Sequence, residues 1–183
     1  MSLFEAAAAA LTPMESEQDR ADARSKAREA AQAAPWLGTI LDHHMRLESA
    51  FADTKSASDS ATREKALKHL GVILTGHAIA EEAAIYPAMA ADGDKGSATH
   101  AYSEQATVKM QMAELEKLDP MSQDFTDKLD AIREAVAHHM YEEEGTWYPD
   151  LAQSAPSEDQ RLMARDYDEA YGRFVGEDAL QPA

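Results

Sequence analysis

The stretch HAIAEEAAIYP, His77 to Pro87, returns as HMYEEEGTWYP, His139 to Pro149. The copies share His, two adjacent Glu, Tyr and Pro in register: His77 with His139, Glu81 with Glu143, Glu82 with Glu144, Tyr86 with Tyr148 and Pro87 with Pro149. In each copy a His stands four residues before a Glu. On an α-helix that spacing stacks the two side chains on one face, one turn apart. An imidazole and a carboxylate on one inward face, supplied twice, are the parts from which a helical bundle builds a dinuclear metal site.

Composition agrees with a helical reading. Ala, Glu, Asp, Leu and Met dominate, Gly and Pro are few, and alternating Val/Ile/Thr runs are absent. A chain of 183 residues with a hydrophobic share of 44 % is long enough for one domain with a real core. The net charge of -17 sets up a field that repels nucleic-acid phosphates and anionic membranes, so neither is expected as a partner. With no cysteine there is no disulfide, no iron–sulfur ligation and no thiol catalysis. The start, MSLFEAAAAALTPMESE, lacks the basic region of a signal peptide, and no apolar run is long enough to span a bilayer. The expected location is the cytoplasm.

Residues 1–34 read as a preface. An alanine run from Ala6 to Ala10 is followed by a helix start at Thr12-Pro13-Met14-Glu15, a capping box with Pro at the first helical position. The helix that follows has few large apolar residues and is expected outside the core. Residues 35–152 form the bundle. Its first helix opens at Pro35, with Trp36, Leu37, Ile40, Leu41, Leu47 and Phe51 as its apolar stripe. A loop from Thr54 to Thr62 leads to a second helix, about Arg63 to Ala90, with Leu67, Leu70, Ile73, Leu74 and Ile85. Gly71 and Gly76 inside it read as close helix approaches, and Pro87 as a kink or an end. A third helix runs from about Ala98 to Leu118 and a fourth from about Ser122 to Asp150. Residues 153–183 carry a last amphipathic helix, opened by a capping box of Ser157 and Gln160. Its face of Met163, Tyr167, Tyr171 and Phe174 is expected to lie across the bundle or at a subunit contact. The fold class is therefore all-α: an antiparallel up-down-up-down four-helix bundle with additional N- and C-terminal helices.

Five of the 7 His have Glu at i+4: His44/Glu48, His77/Glu81, His100/Glu104, His138/Glu142 and His139/Glu143. At 100° per residue, Glu81 and Glu143 fall within roughly 20° of the centres of their apolar stripes. His77 lies roughly 40° and His139 roughly 55° off centre, both on the core side. His138, Glu142 and Glu144 point away, and Glu82 sits at the edge. In the first helix His44 lies roughly 20° off the stripe and His43 roughly 80° off. In the third helix Glu104 is central and His100 peripheral. A lone buried His–Glu pair is more often a hydrogen-bonded core pair than a ligand set. One pair on each of four consecutive helices would leave a poorly compensated cluster unless a cation joins it. The candidate metal residues are His44, His77, Glu81, His100, His139 and Glu143, with Glu48 and Glu104. Imidazole and carboxylate without thiolate suit iron, manganese or zinc. Tyr86 and Tyr148 read as packing at helix ends and the Met residues as core filler.

These residues resemble the hemerythrin-like, HHE cation-binding family. Its pattern is one His on the first helix, HxxxE on the second, one His on the third and HxxxE on the fourth. Here that is His44, His77 with Glu81, His100, and His139 with Glu143, over roughly residues 36 to 151. The extended form HxxxEExxxYP is matched in both halves. The resemblance implies two iron ions, four terminal His, and bridging Glu81 and Glu143 with an oxo or hydroxo group between the irons. Manganese and zinc are the other metals the donors suit. Oxygen-carrying hemerythrins use five His and end on HxxxxD. This chain ends on HxxxE, and His43 is an alternative or fifth His. A carboxylate-richer site favours oxygen or peroxide chemistry over reversible carriage, and the lack of cysteine lowers the iron–sulfur repair reading.

The leading expectation is a di-iron protein that binds or reacts with a small diatomic or peroxide ligand (oxygen, peroxide or nitric oxide) in sensing, iron handling or detoxification. The alternatives are a reversible oxygen or iron binder without turnover, and a stress-related interaction module with a structural metal. The terminal helices offer a route to a homo-oligomer.

Overall fold

The computed structural model describes residues 15–176, and among them the protein is all-α, without a strand. Helix α1 spans Glu17–Ala30, α2 Pro35–Ser56 and α3 Ser60–Ala80. A π-helical turn, Glu81–Ile85, carries α3 directly into α4, Tyr86–Ala91. Helix α5 spans Lys95–Leu115 and α6 Gln123–Glu142. A second π turn, Glu143–Trp147, joins α6 to α7, Tyr148–Ser154, and α8 spans Ser157–Val175. Helix α2 packs on α3 and α6, and α5 packs on α4 and α6. With short connections this is compatible with an antiparallel up-down bundle.

The starts follow cap chemistry. Asp59, Asp94 and Ser122 accept from Thr62, Ser97 and Phe125 backbone N–H groups at α3, α5 and α6. These caps start α3 and α5 a few residues earlier than Arg63 and Ala98, the starts expected from their apolar stripes. The expected capping box at Thr12 and the Ala6–Ala10 run lie outside the described residues. The described α1 opens on a different box, Ser16 with Asp19. Ser157 does not cap α8. Pro156 holds that position, and Gln160 donates to the carbonyls of Ala152 and Ala155 while its Oε1 accepts from Trp36 Nε1.

Both Pro residues of the repeated stretch lie inside continuous helix rather than ending it. Proline lacks an N–H, and its ring crowds the preceding turn. The π turns absorb this: Tyr86 N–H donates five residues back to Glu81 O, and Tyr148 N–H to Glu143 O. The carbonyls left over find side chains. Glu82 O accepts from Tyr102 Oη at 3.0 Å, and Gly145 O from Lys26 Nζ at 2.7 Å.

The terminal helices depart from expectation. Helix α1 was expected outside the core, yet Ala23 and Ala27 are buried. It packs on the second π turn, with Ala23 Cβ 3.5 Å from where a Cβ on Gly145 would lie. Small side chains permit that approach, so few large apolar residues did not mean little burial. Helix α8 packs along α3 and the first π turn, burying Met163, Tyr167, Tyr171 and Val175. Of the two helix glycines, only Gly76 marks a close approach, since a Cβ there would strike Val175 and meet Phe174. A Cβ on Gly71 would meet nothing within 4 Å. No helix among the described residues is long and apolar enough to cross a membrane.

Candidate metal centre

Glu81 and Glu143 open the two π turns, and both are fully buried. A buried carboxylate demands partners. The i→i+5 register supplies two of them, because it turns Tyr86 and Tyr148 onto the same face as the Glu five residues earlier. Tyr148 Oη lies 2.5 Å from Glu143 Oε1 and 2.6 Å from Glu81 Oε1, with one proton to give to the pair. Tyr86 Oη stands 3.1 Å from each of Glu81 Oε2, Glu143 Oε1 and His139 Nε2. Gln105 Nε2 donates to Glu81 Oε2 at 2.6 Å. The two tyrosines are thus hydrogen-bonded into the cluster, where the sequence suggested packing alone.

Three imidazoles face the carboxylates through Nε2. His44 Nε2 is 3.4 Å from Glu143 Oε2, His77 Nε2 is 3.3 Å from Glu81 Oε1, and His139 Nε2 is 3.2 Å from Glu143 Oε1. Each keeps Nδ1 on an outer partner. His44 Nδ1 donates to Glu144 Oε1 at 2.7 Å, and His139 Nδ1 to Glu104 Oε2 at 2.8 Å. His77 Nδ1 lies 3.0 Å from Tyr167 Oη, which also lies 2.8 Å from His43 Nδ1. A phenol has one proton, so Tyr167 donates to one of these rings and accepts from the other. His43 does not reach the carboxylates. It stacks on Tyr171 with ring centroids 3.9 Å apart.

Electrostatics follow from burial against pairing. Burial would lower His44, but the Glu143 and Glu144 carboxylates push it up to about 9. Burial opposes His139 too, yet Glu143 and Glu104 hold it well above the usual imidazole value. Burial and the neighbouring Glu143 charge push Glu81 up to about 8. Burial would raise Glu143, but His139 and His44 hold it well below the usual carboxylate range. His77 is driven well down by burial and the His44 charge. The His44 and His139 imidazoles and the Glu143 carboxylate thus favour one another's charged forms.

The donors fit a cation. His44, His77, Glu81 and Glu143 each offer one ligand atom, all within 4.8 Å of one another. His44 Nε2, His77 Nε2 and Glu143 Oε2 are buried without a hydrogen-bond partner among the described residues. Orphaned buried polar atoms are costly, and a metal ion would satisfy all three at once. His139 Nε2, Glu81 Oε2 and Glu143 Oε1 lie on the side of Tyr86 Oη, which is within hydrogen-bond distance of all three.

The remaining sequence candidates lie elsewhere. His100 has a side chain 54 % exposed and forms a separate group with Glu104 and Glu142, at 3.3 and 3.4 Å. The structure does not bring it to the buried cluster; the third bundle helix sends Gln105 there instead. Glu104 reaches the cluster only through His139 Nδ1. Glu48 is half-exposed and pairs with Arg24 at 2.8 Å. Glu144, expected to point away, is 2 % exposed and shared by His44 and Arg24. A strict 100° count fails there because Glu144 lies inside a π turn. Arg24, Tyr167 and Gln105 went unnoticed as site residues. Only Tyr167 carried a signal, on the apolar stripe of the last helix.

The family model for the hemerythrin HHE cation-binding domain matches residues 37–151. A curated relative, a protein named DNA nickase from Nostoc sp. strain PCC 7120, is 23 % identical over 134 residues. That match covers 73 % of this chain but only 38 % of the relative's length. No solved structure gives a significant match.

Proposed function

Since the chain belongs to the hemerythrin HHE cation-binding family, we propose that it is a non-haem di-iron protein of the cytoplasm that binds or reacts with oxygen, peroxide or nitric oxide, in sensing, iron handling or detoxification. The observation that carries the reading is the convergence of three imidazole Nε2 atoms on two buried carboxylates, with two of those nitrogens, on His44 and His77, and one carboxylate oxygen, Glu143 Oε2, lacking partners among the described residues.

His44 and His77, with Glu81 Oε1 and Glu143 Oε2, would hold one ion. His139, with the same two carboxylates, would hold the other. An iron pair bound there supplies electrons and an open position to a small oxidant. The protein's share is orientation and proton placement. Glu144 and Glu104 accept the Nδ1 protons of His44 and His139, leaving each Nε2 lone pair inward. Tyr167 does the same for His77 by accepting its Nδ1–H while donating to His43. Tyr86 and Tyr148 keep their hydroxyl oxygens within 2.5–3.1 Å of the carboxylates, so each holds a proton at the site. With a carboxylate-rich set, oxidised metal and one-way chemistry are favoured over reversible carriage. The nicking for which the relative is named is not carried over, because the match is 23 % identical and spans 38 % of that protein.

The test is metal binding by His44→Ala, Glu81→Ala and Glu143→Ala, together with peroxide consumption by the iron-loaded protein. Each variant is expected to lose metal. Full retention in all three would sink the assignment, and iron-loaded protein inert to peroxide, oxygen and nitric oxide would sink the reactive reading.

A further inference from the structure

A cavity of about 520 Å³ opens between α3, α5 and α6 and ends against His77, His139 and Gln105. Its size lies inside the range of about 300–1,000 Å³ typical of pockets for small organic molecules. The walls are apolar: Val72, Leu74, Val108, Met112, Val136 and Met140, with Phe174 of α8 beside them. The charged groups that line it, Lys68, Lys109 and Glu116, are exposed or half-exposed and of both signs, so they stand at the outer side and select no charge.

Two further observations point to an occupant. Gln105 is 6 % exposed, and its Oε1 accepts no hydrogen bond among the described residues. Its Nε2 is already committed to Glu81 and Tyr86, so the free function is an acceptor. Gly71 also lines the cavity, in mid-helix, where glycine weakens the helix. No neighbour requires it, since a Cβ there meets nothing within 4 Å. What its missing side chain leaves is room.

We propose that this cavity binds an alkyl chain ending in a single O–H donor, a medium-length alcohol or the corresponding alkyl hydroperoxide. The chain lies along the Val and Met walls, and the hydroxyl proton is donated to Gln105 Oε1, beside His77 and His139. The proposal rests on the metal-centre reading only for what lies at the inner end of the cavity.

The test is calorimetric titration of the full, iron-loaded chain with octanol, octane and octyl hydroperoxide, with metal content and circular dichroism measured on the same samples. Octanol is expected to bind once per chain, and octane roughly three- to tenfold more weakly for want of the hydrogen bond. Octyl hydroperoxide binding more tightly than octanol identifies the head group as a hydroperoxide; the reverse identifies it as an alcohol. Gly71→Phe should fill the cavity and weaken octanol at least about tenfold with metal content unchanged, whereas Gly71→Ala should not. No octanol binding to the unmodified chain, or binding undiminished in a folded Gly71→Phe, would overturn the proposal. Octane matching octanol would overturn the role of Gln105. A chain that binds octanol but no metal supports the cavity and contradicts the metal centre. One that holds metal and ignores octanol overturns the cavity alone.

Discussion

Each imidazole that reaches the buried carboxylates does so through Nε2 because another group occupies its Nδ1. The three outer partners come from three places: Glu144 in the second π turn, Glu104 on α5 and Tyr167 on α8. Such partners fix ring orientation and tautomer, and losing one typically weakens a metal site about 10- to 100-fold. Tyr167→Phe is therefore expected to weaken metal binding by about that factor, read by competition with a chelator. Unchanged affinity would mean that His77 is held by packing alone. Arg24 acts one shell further out. Its guanidinium bridges Glu144 and Glu48, and Glu144 is buried beneath it. Arg24→Ala leaves that carboxylate with His44 alone. The expected loss is about 1–3 kcal/mol in a denaturant titration, where a purely exposed ion pair would give about 1 kcal/mol or less.

Elements carry the next set of expectations. Helix α1 is tied down by acidic groups whose folded pKa values are depressed. Burial would raise Glu15, but His138 and Arg20 hold it below its ordinary 4.5. Burial would likewise raise Glu144, but His44 and Arg24 hold it down. A depressed carboxylate contributes stability that is present above its unfolded pKa and is lost as the pH falls through the folded value. The contribution of these carboxylates to the docking of α1 should thus weaken below about pH 4.5. Hydrogen exchange of the α1 amides, corrected for intrinsic rates, reads this directly; loosening at about pH 6 would contradict it. The two glycines of α3 should respond in opposite directions. Gly71→Ala should stabilise by about 0.5–1 kcal/mol, since the new methyl meets nothing. Gly76→Ala should destabilise by about 1–3 kcal/mol, since it drives into Val175 and Phe174. Thermal melts of both variants decide the point. Helix type, apolar stripes and the burial of Glu81 and Glu143 were legible because 3.6-residue periodicity is local. The turn of Glu144 inward was not, because two π turns break that periodicity. The burial of His43 was not either, because the face it meets belongs to α8, more than a hundred residues further along the chain. His100 was named by family pattern and i+4 spacing, and neither reveals that α5 presents Gln105 to the cluster instead.

At the scale of the whole molecule, each copy of the repeated stretch is covered by one terminal helix. Helix α1 lies on the second π turn and α8 on the first. The terminal helices are thereby built into the centre's outer hydrogen bonds, through Arg24 on one side and Tyr167 on the other. An ion that binds the folded chain alone adds stability by mass action, about 2.7 kcal/mol at a hundred times its Kd. Chelation should lower the Tm of the loaded protein accordingly. His44, His77, His139, Glu81 and Glu143 are expected to hold iron. Elemental analysis of the full chain, expressed in iron-supplemented medium and checked for helical circular dichroism, tests this most directly. About two irons per chain are expected. A folded, helical chain with no bound metal would contradict this and leave the His–Glu cluster as a polar core.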